Sequence, residues 1–415
     1  MTTTSTANTL HKPARQADRI YHDLLSNAET LAVRERVRRF ADAVVAPAAS
    51  RIATGDEVED GFPTDVFDAM AREDLFRIAF PADMGGLGLE RPASSTVAAI
   101  EELAYHSNSV AAIYDVHCVL AGTALNQGSA EQRQQWLGPL IRGEIIGAFA
   151  TSEPGSSSNL SPQSVQTVGT RTATGWRLEG HKRWITNAPV ADVILVLART
   201  GERLSMFIVP ATAPGVSVGR ADRKLGNKGQ LTADVILHDV DLPDSALLGV
   251  EGSGLKIALS MLTYGRIAIA AAGVGMAQAA FDHMTDRLCT SEAFGEKLGR
   301  FQHWQFLMAD RAIELEAARS LYIKAALRMD QGVTVPEPEA AMAKVAGTSL
   351  AVEISRDAVQ LFGGLGFTQE LGADGTTSPV EALYRDSKVT EIYEGANEIQ
   401  KWIIARQLLG REIAG

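Results

Sequence analysis

Glu394 precedes Gly395 in a gap between two helical patterns, within the stretch Lys388-Val-Thr-Glu-Ile-Tyr-Glu-Gly-Ala-Asn-Glu-Ile-Gln-Lys401. A carboxylate on backbone freed by a glycine can face a cavity and remove a proton as a general base. Taken alone, the same Glu-Gly pair reads as a solvated helix junction, because most glutamates are exposed. The helix that must position it is expected to open at Asn397, an N-cap type with Gln400 at the capping-box position. It carries Ile399, Trp402, Ile403 and Leu409 on one face and stops at Gly410. No metal is expected. His106 and His117 stand alone without a partner at ligand spacing, and Cys118 and Cys289 lie far apart in helical contexts, so they build neither a disulfide framework nor a metal motif.

The 415 residues allow two or three domains. A composition of 46% hydrophobic and 21% charged residues supports a large core and excludes general disorder. The formal net charge of −11 argues against nucleic acid and anionic membranes as partners, yet leaves room for an anionic ligand in a local pocket. The first ten residues are Thr/Ser-rich without a basic region and apolar run, so no secretion signal is expected; residues 1–19 read as a flexible tail. The uncharged run 267–281 has 15 residues, short of the roughly 20 that span a bilayer, and reads as a buried core helix. These features predict a soluble, cytoplasmic protein without membrane insertion.

Residues 20–146 read as a helical domain, with an amphipathic helix over 29–46 ending near Pro47, further helices over 64–76, 94–104 and 109–127, and a helix capped by Ser129. At Ala148 the 3.6-residue period gives way to alternation. Six strands are expected over 163–171, 176–184, 193–200, 204–210, 216–220 and 234–240, with turns at Thr174-Gly175 and Gly201-Glu202. They suggest a compact antiparallel barrel or sandwich spanning 147–252. Residues 253–415 return to long helices, over 255–288, 300–329 and 339–361, and read as an antiparallel bundle. The class is α+β. Helices, strands and helices in that order leave no βαβ unit, so Gly85-Gly86 and Gly363-Gly364 are not dinucleotide fingerprints.

Five stretches within this order resemble the acyl-CoA dehydrogenase family of flavoenzymes. They are Ala150-Thr-Ser-Glu-Pro-Gly-Ser-Ser-Ser-Asn159, Arg183-Trp-Ile-Thr-Asn187, Tyr264-Gly-Arg-Ile-Ala-Ile-Ala-Ala271, Gln360-Leu-Phe-Gly-Gly-Leu-Gly-Phe367 and Ile392-Tyr-Glu-Gly-Ala-Asn397. The similarity covers about residues 25 to 410. It implies an acyl-CoA dehydrogenase-like fold with an N-terminal helical domain, a middle antiparallel β-barrel and a C-terminal four-helix bundle, with FAD between barrel and bundle. Ser152 and Thr186 offer hydroxyls to the polar edge of a flavin, and Trp184 an aromatic face. Individually, Trp184 also reads as a core residue and Thr186 as an ordinary strand residue. The family pattern sets Gln360 and the Gly363-Gly364 backbone against the FAD of a neighbouring subunit, which implies a homotetramer or homodimer.

By the same resemblance Glu394 is the catalytic base. Some family members carry the base just before the arginine matching Arg266, where this chain has Gly265. The implied reaction is α,β-dehydrogenation of an acyl thioester. Glu394 removes the α-proton while the β-hydrogen leaves as hydride to flavin N5. The thioester carbonyl accepts hydrogen bonds that strengthen as enolate charge develops, from the Glu394 backbone N–H and a ribityl hydroxyl. Ser158, Arg266 and Gly395 are the implied substrate contacts. An electron-transfer flavoprotein is the implied electron acceptor.

The sequence departs from the family pattern at the end that grips the thioester's handle. Ser157 replaces a usual glycine, Asn159 a common aspartate, and Thr263 a frequent acidic residue that contacts the pantetheine arm. Ser291 stands where an arginine normally pairs with the FAD pyrophosphate, with Arg287 one turn earlier as a candidate substitute. The stretch Leu371-Gly-Ala-Asp-Gly-Thr-Thr-Ser378 reads as an inserted surface loop. Two substrates fit these changes: an acyl-CoA with relaxed recognition of the nucleotide handle, or an acyl group held on an acyl or peptidyl carrier protein. A flavin oxidase or monooxygenase and a non-catalytic homologue are the readings of another class.

Overall fold

The computed structural model describes Arg15 and residues 24–415; the tail expected over 1–19 lies, Arg15 apart, outside the described residues. Helix α1 (Ala28–Phe40) is capped by Asn27, whose side-chain oxygen accepts from the Thr30 N–H at 2.9 Å. It does not stop near Pro47. A π-helical turn, Ala41–Val45, leads into Ala46–Thr54, with Pro47 in the first turn of that segment. A proline there sacrifices only an N–H that a helix start leaves over, so the chain continues. Helix α2 (Pro92–His106) is buried along almost its whole length. It packs against α1 and against α3 (Gly254–Thr290) and α4 (Gln302–Asp330) of the C-terminal part. Glu101 on α2 accepts from Arg34 at 2.8 Å and Arg319 at 3.0 Å. Burial alone would raise this carboxyl, but the two arginines hold it at about 2. The pairing pins three helices at one point.

Strands β1 (Gly147–Ala150), β2 (Val168–Arg171), β3 (Gly175–Thr186), β4 (Val193–Thr200), β5 (Arg203–Pro210), β6 (Val216–Val218), β7 (Thr232–Pro243) and β8 (Leu247–Leu248) form one sheet in the order β6-β7-β3-β2-β4-β5-β8. The middle layer is a sheet as expected, with two refinements to its pairing. β1 and β2 both run parallel to β4, and no pairing joins β6 to β8, so the sheet is mixed and its path stays open. Parallel pairing needs a long return connection, which alternation within one strand does not reveal. β4 explains why the sheet is held so firmly. Val193, Leu195 and Leu197 enter the large helical core, while Ile194, Val196 and Ala198 enter the sheet's own core. A strand buried on both faces reads as an unbroken apolar run.

Four C-terminal helices pack as a bundle: α3, α4, α5 (Glu337–Phe362) and α6 (Asn397–Leu409). Small residues bring α3 and α5 close. A Cβ on Gly273 would lie 2.6 Å from the Gly347 carbonyl oxygen, and one on Gly347 would lie 2.5 Å from that of Ala270. Helix α3 is long and apolar enough by composition to cross a membrane, but 89% of its most apolar window is buried inside the fold.

Candidate active site

Glu394 lies between the short helix Lys388–Glu391 and α6, in the left-handed region at φ 55°. That conformation is uncommon for a residue with a Cβ, and it is held by close packing on both sides. Gly395 follows at φ 89°; its carbonyl accepts from Gln400 Nε2 at 3.0 Å. Arg266 on α3 is buried and its Nε donates to the Glu394 carbonyl at 3.4 Å. Beside Arg266, a Cβ on Gly265 would stand 2.7 Å from Glu394 Oε2. The missing side chain at Gly265 is therefore what makes room for the carboxylate. Oε2 is buried and has no hydrogen-bond partner, and no group among the described residues accepts from the Glu394 N–H. Burial foremost raises the Glu394 carboxyl to about 7, with Arg266 and Lys344 pulling in the opposite direction. The structure thus brings Glu394, Gly395 and Arg266 together.

Two neighbours of this group, Lys344 and Asp115, were not singled out by sequence reasoning. Lys344 on α5 is fully buried, and burial lowers its ammonium to about 7 against the pull of Glu394 and Glu391. Its Nζ donates to Asn397 Oδ1 at 2.9 Å, and Asn397 Nδ2 donates to Thr348 Oγ1 at 3.0 Å. Asn397 is therefore not the expected N-cap. It is the first residue of α6, and Ala396 holds the cap position. Its amide is drawn inward to satisfy a buried lysine, a demand stronger than a cap that solvent can meet. Gln400 likewise binds Gly395 and closes no capping box. Asp115 begins the π-helical stretch Asp115–Gly122; it is buried, and burial together with the Glu394 charge raises its carboxyl. Nothing in local spacing marks these residues, because their partners lie far along the chain.

On the sheet side, the β3–β7 register shifts between Lys182 and Ile185. This bulge turns Trp184 outward, at φ 56° and 57% exposed, while Ile185 stays buried. Trp184 is thus no core residue. The Arg183 N–H donates to the Ser152 carbonyl at 3.0 Å, which sets half-buried Ser152 next to Trp184. Thr186 Oγ1 accepts from Gln230 Nε2, and Gln230 Oε1 from Asn227 Nδ2. Asn227 Oδ1 accepts from Asn108 Nδ2 at 3.0 Å, and Asn108 also donates to the Tyr393 hydroxyl at 3.3 Å. A line of polar side chains therefore runs from Thr186 to the residue before Glu394.

The Ser152 segment is anchored by a buried ion pair. Lys182 Nζ lies 2.8 Å from Glu153 Oε1, and the Glu153 carboxylate also accepts from the Gln166 and Thr167 N–H groups at 2.6 and 2.9 Å. Lys182→Met leaves that carboxylate buried without its cation. The expected loss is about 3 kcal/mol or more of stability, read by urea denaturation. An unchanged midpoint would mean that Glu153 is held by the backbone amides alone.

Of the remaining predicted residues, Gln360, Gly363, Gly364 and Ser158 lie at the surface of the single chain. Gln360 is exposed at the last turn of α5, and Gly363 at φ 61° and Gly364 have no atom within 4 Å of where a Cβ would stand. Ser158 is exposed. Thr263 is buried and its hydroxyl donates to the Leu259 carbonyl at 2.7 Å within α3. Ser291 ends α3. The Arg287 guanidinium sits 5.3 Å over the Phe362 ring, and its Nε is buried without a hydrogen-bond partner. Residues 371–378 form the expected surface loop, closed by the bridge between Glu370 and Thr377.

These residues fit a flavin. An outward-turned indole flanked by Ser152 and by a hydroxyl fixed from behind offers a face and an edge of the right chemistry. Together with a carboxylate whose Oε2 is buried and unpartnered, they suit a cofactor-dependent oxidoreductase. The chain matches the acyl-CoA dehydrogenase N-terminal domain over residues 27–144, the middle domain over 148–240 and the C-terminal domain over 252–409. It is 37% identical over 383 residues to the short-chain specific acyl-CoA dehydrogenase, mitochondrial, of Rattus norvegicus, covering 91% of this chain and 89% of that one. The structure of butyryl-CoA dehydrogenase from Megasphaera elsdenii superposes with a TM-score of 0.85 and 30% identity, covering 94% of this chain and all of that one (100%). A glutaryl-CoA dehydrogenase from Mycobacterium smegmatis in complex with FADH2 superposes with a TM-score of 0.87 and 26% identity, covering 96% and 98%. The chain belongs to the acyl-CoA dehydrogenase family. It is an oxidoreductase acting on CH–CH donors, its cofactor is FAD, and acyl-CoA dehydrogenation is its general activity.

Proposed function

We propose that Glu394 is the base of this reaction and that the substrate is a thioester of a short or compact acyl group. The carrying observation is the Glu394 carboxylate, buried and unpartnered at Oε2 in the space left by Gly265. Glu394 takes the α-proton, and its own backbone N–H donates to the thioester carbonyl as enolate charge develops there. Arg266 holds the Glu394 carbonyl and so fixes the peptide that joins Glu394 to Gly395. FAD, when bound, supplies the hydride acceptor for the β-hydrogen. Ser152, Trp184 and Thr186 bind it; Gln360, Gly363 and Gly364 reach the FAD of a neighbouring subunit in a homotetramer or homodimer. An electron-transfer flavoprotein receives the electrons, and the enzyme works in the cytoplasm. The short acyl group rests on the names of the relatives.

A base near 7 has a visible pH signature. Raised by burial, Glu394 is protonated and idle below about 7 and ionised above it. The rate of flavin reduction is therefore expected to rise with pH through about 7 and level off above, measured by anaerobic stopped flow. A profile flat across that range would point to another base. Arg287 is proposed to replace the absent arginine at Ser291 in binding the pyrophosphate. Arg287→Ala is expected to weaken FAD binding on the order of tenfold or more, read by titrating apoprotein with FAD; unchanged affinity would reject the role.

A carrier-bound acyl group is the second reading, favoured by Thr263. Its hydroxyl is committed to its own helix, which leaves the pantetheine arm without the usual side-chain contact at that point. The deciding experiment presents the same short acyl groups to the anaerobic holoenzyme as CoA thioesters and on a phosphopantetheinylated carrier protein. Bleaching by the CoA thioesters supports the first reading, and bleaching by the carrier-bound group alone supports the second. Colourless protein that takes up no FAD would reject both.

A further inference from the structure

Asp115 is 1% exposed, its Oδ1 has no hydrogen-bond partner, and nothing in the dehydrogenation requires it. It opens a π-helical stretch, a local widening that recurs at functional sites. The same stretch carries Leu120, whose Cδ2 lies 3.1 Å from where a Cβ on Gly265 would stand, the spot that Glu394 Oε2 approaches to 2.7 Å. Asp115 stands about one turn before Leu120 on this stretch, and the Glu394 charge acts on it directly.

The charges around this stretch are unbalanced. Glu394 feels two cations, Arg266 and Lys344. Among the described residues, the charged group that acts on Asp115 is Glu394, another acid. Tyr264, Tyr393 and Cys118 also lie within its electrostatic reach, and all three are neutral. Buried acids are ordinarily paired or fully hydrogen-bonded, and one that is neither lacks a partner that something else can supply.

We propose that Asp115 is a specificity-determining residue that recognises a protonated nitrogen on the acyl group, so that the preferred substrate is the thioester of an amino acid or similar ammonium-bearing acid. This rests on the reading of the site as one for thioesters with Glu394 as base. An ammonium would donate to Oδ1 and neutralise the second acid while Glu394 remains free for the α-proton. A hydroxyl would satisfy the lone pairs but leave the two acids opposed.

The test uses the holoenzyme and matched pantetheine thioesters in which an NH3+ or NH2+ group replaces a CH3 or CH2 group of the acyl chain. A hydroxyl analogue completes each set. Efficiency of anaerobic flavin reduction is the readout. The wild-type enzyme is expected to prefer the ammonium member of at least one set on the order of tenfold or more, and Asp115→Asn is expected to cut that ratio by a similar factor. Preference for the carbon or hydroxyl member in every set overturns the proposal. An equal effect of Asp115→Asn on all members also overturns it, since that is the mark of a structural residue or of one that tunes the base. If Asp115→Asn does not fold, the wild-type preference alone decides. Failure of every member to reduce the flavin rejects the thioester reading itself, an outcome distinct from reduction with the wrong preference.

Discussion

Glu394→Gln is expected to fold, bind FAD and remain yellow, while its flavin is reduced by substrate roughly 10²- to 10⁴-fold more slowly than in the wild type. The amide keeps the size of the carboxylate and loses its basicity. Oε2 has no partner, so the change breaks no hydrogen bond at that atom. The backbone features that hold position 394, the Arg266 contact and the Gln400 bond to Gly395, do not depend on the side chain. Reduction at the wild-type rate would move the base elsewhere, and Asp115 is the acid that already acts on this site. The same variant removes a carboxylate that burial disfavours, so the comparison is best made above pH 7, where the wild-type carboxyl is ionised.

Gly265→Ala is expected to lower flavin reduction by about 10- to 100-fold with little change in FAD content, because a shift near 1 Å at a catalytic group is enough for such a loss. The added Cβ would lie 2.7 Å from Glu394 Oε2 and 3.1 Å from both Glu394 Cδ and Leu120 Cδ2. These are the ends of flexible side chains, so the protein yields by swinging the carboxylate aside and α3 stays in place. Thermal denaturation should separate the two explanations. A large fall in melting temperature with the activity would mean that the helix itself had been displaced.

The sequence carried unequal amounts of this picture. β4 was fully legible because it is buried on both faces and reads as one apolar run bounded by turns. Helix α3 was legible by another signal, the small residues that mark where its backbone meets α5. Glu394 and Arg266 are visible only through their motifs, since 128 residues separate them and no local spacing joins them. Pro47 misleads because a π-turn just before it makes a helix start inside what looks like a helix end. Asn397 misleads because a capping type of residue is claimed by Lys344 from another helix. Asp115 is silent in sequence. One aspartate in an apolar helix carries no signal until the fold sets a second acid beside it.

The polar line from Thr186 through Gln230, Asn227 and Asn108 to Tyr393 has a consequence for how the enzyme matures. Its links join residues 44, 3, 119 and 285 positions apart, and they draw on all three parts of the chain. Contacts of such separation close late, after the entropy of long loops has been overcome. No fragment ending before residue 393 can complete the line, and a chain emerging from the ribosome closes it only when the segment around Tyr393 is free to fold back. Yellow colour gained during refolding would then time the final docking of the C-terminal segment, and a truncated or nicked chain would betray itself by staying pale.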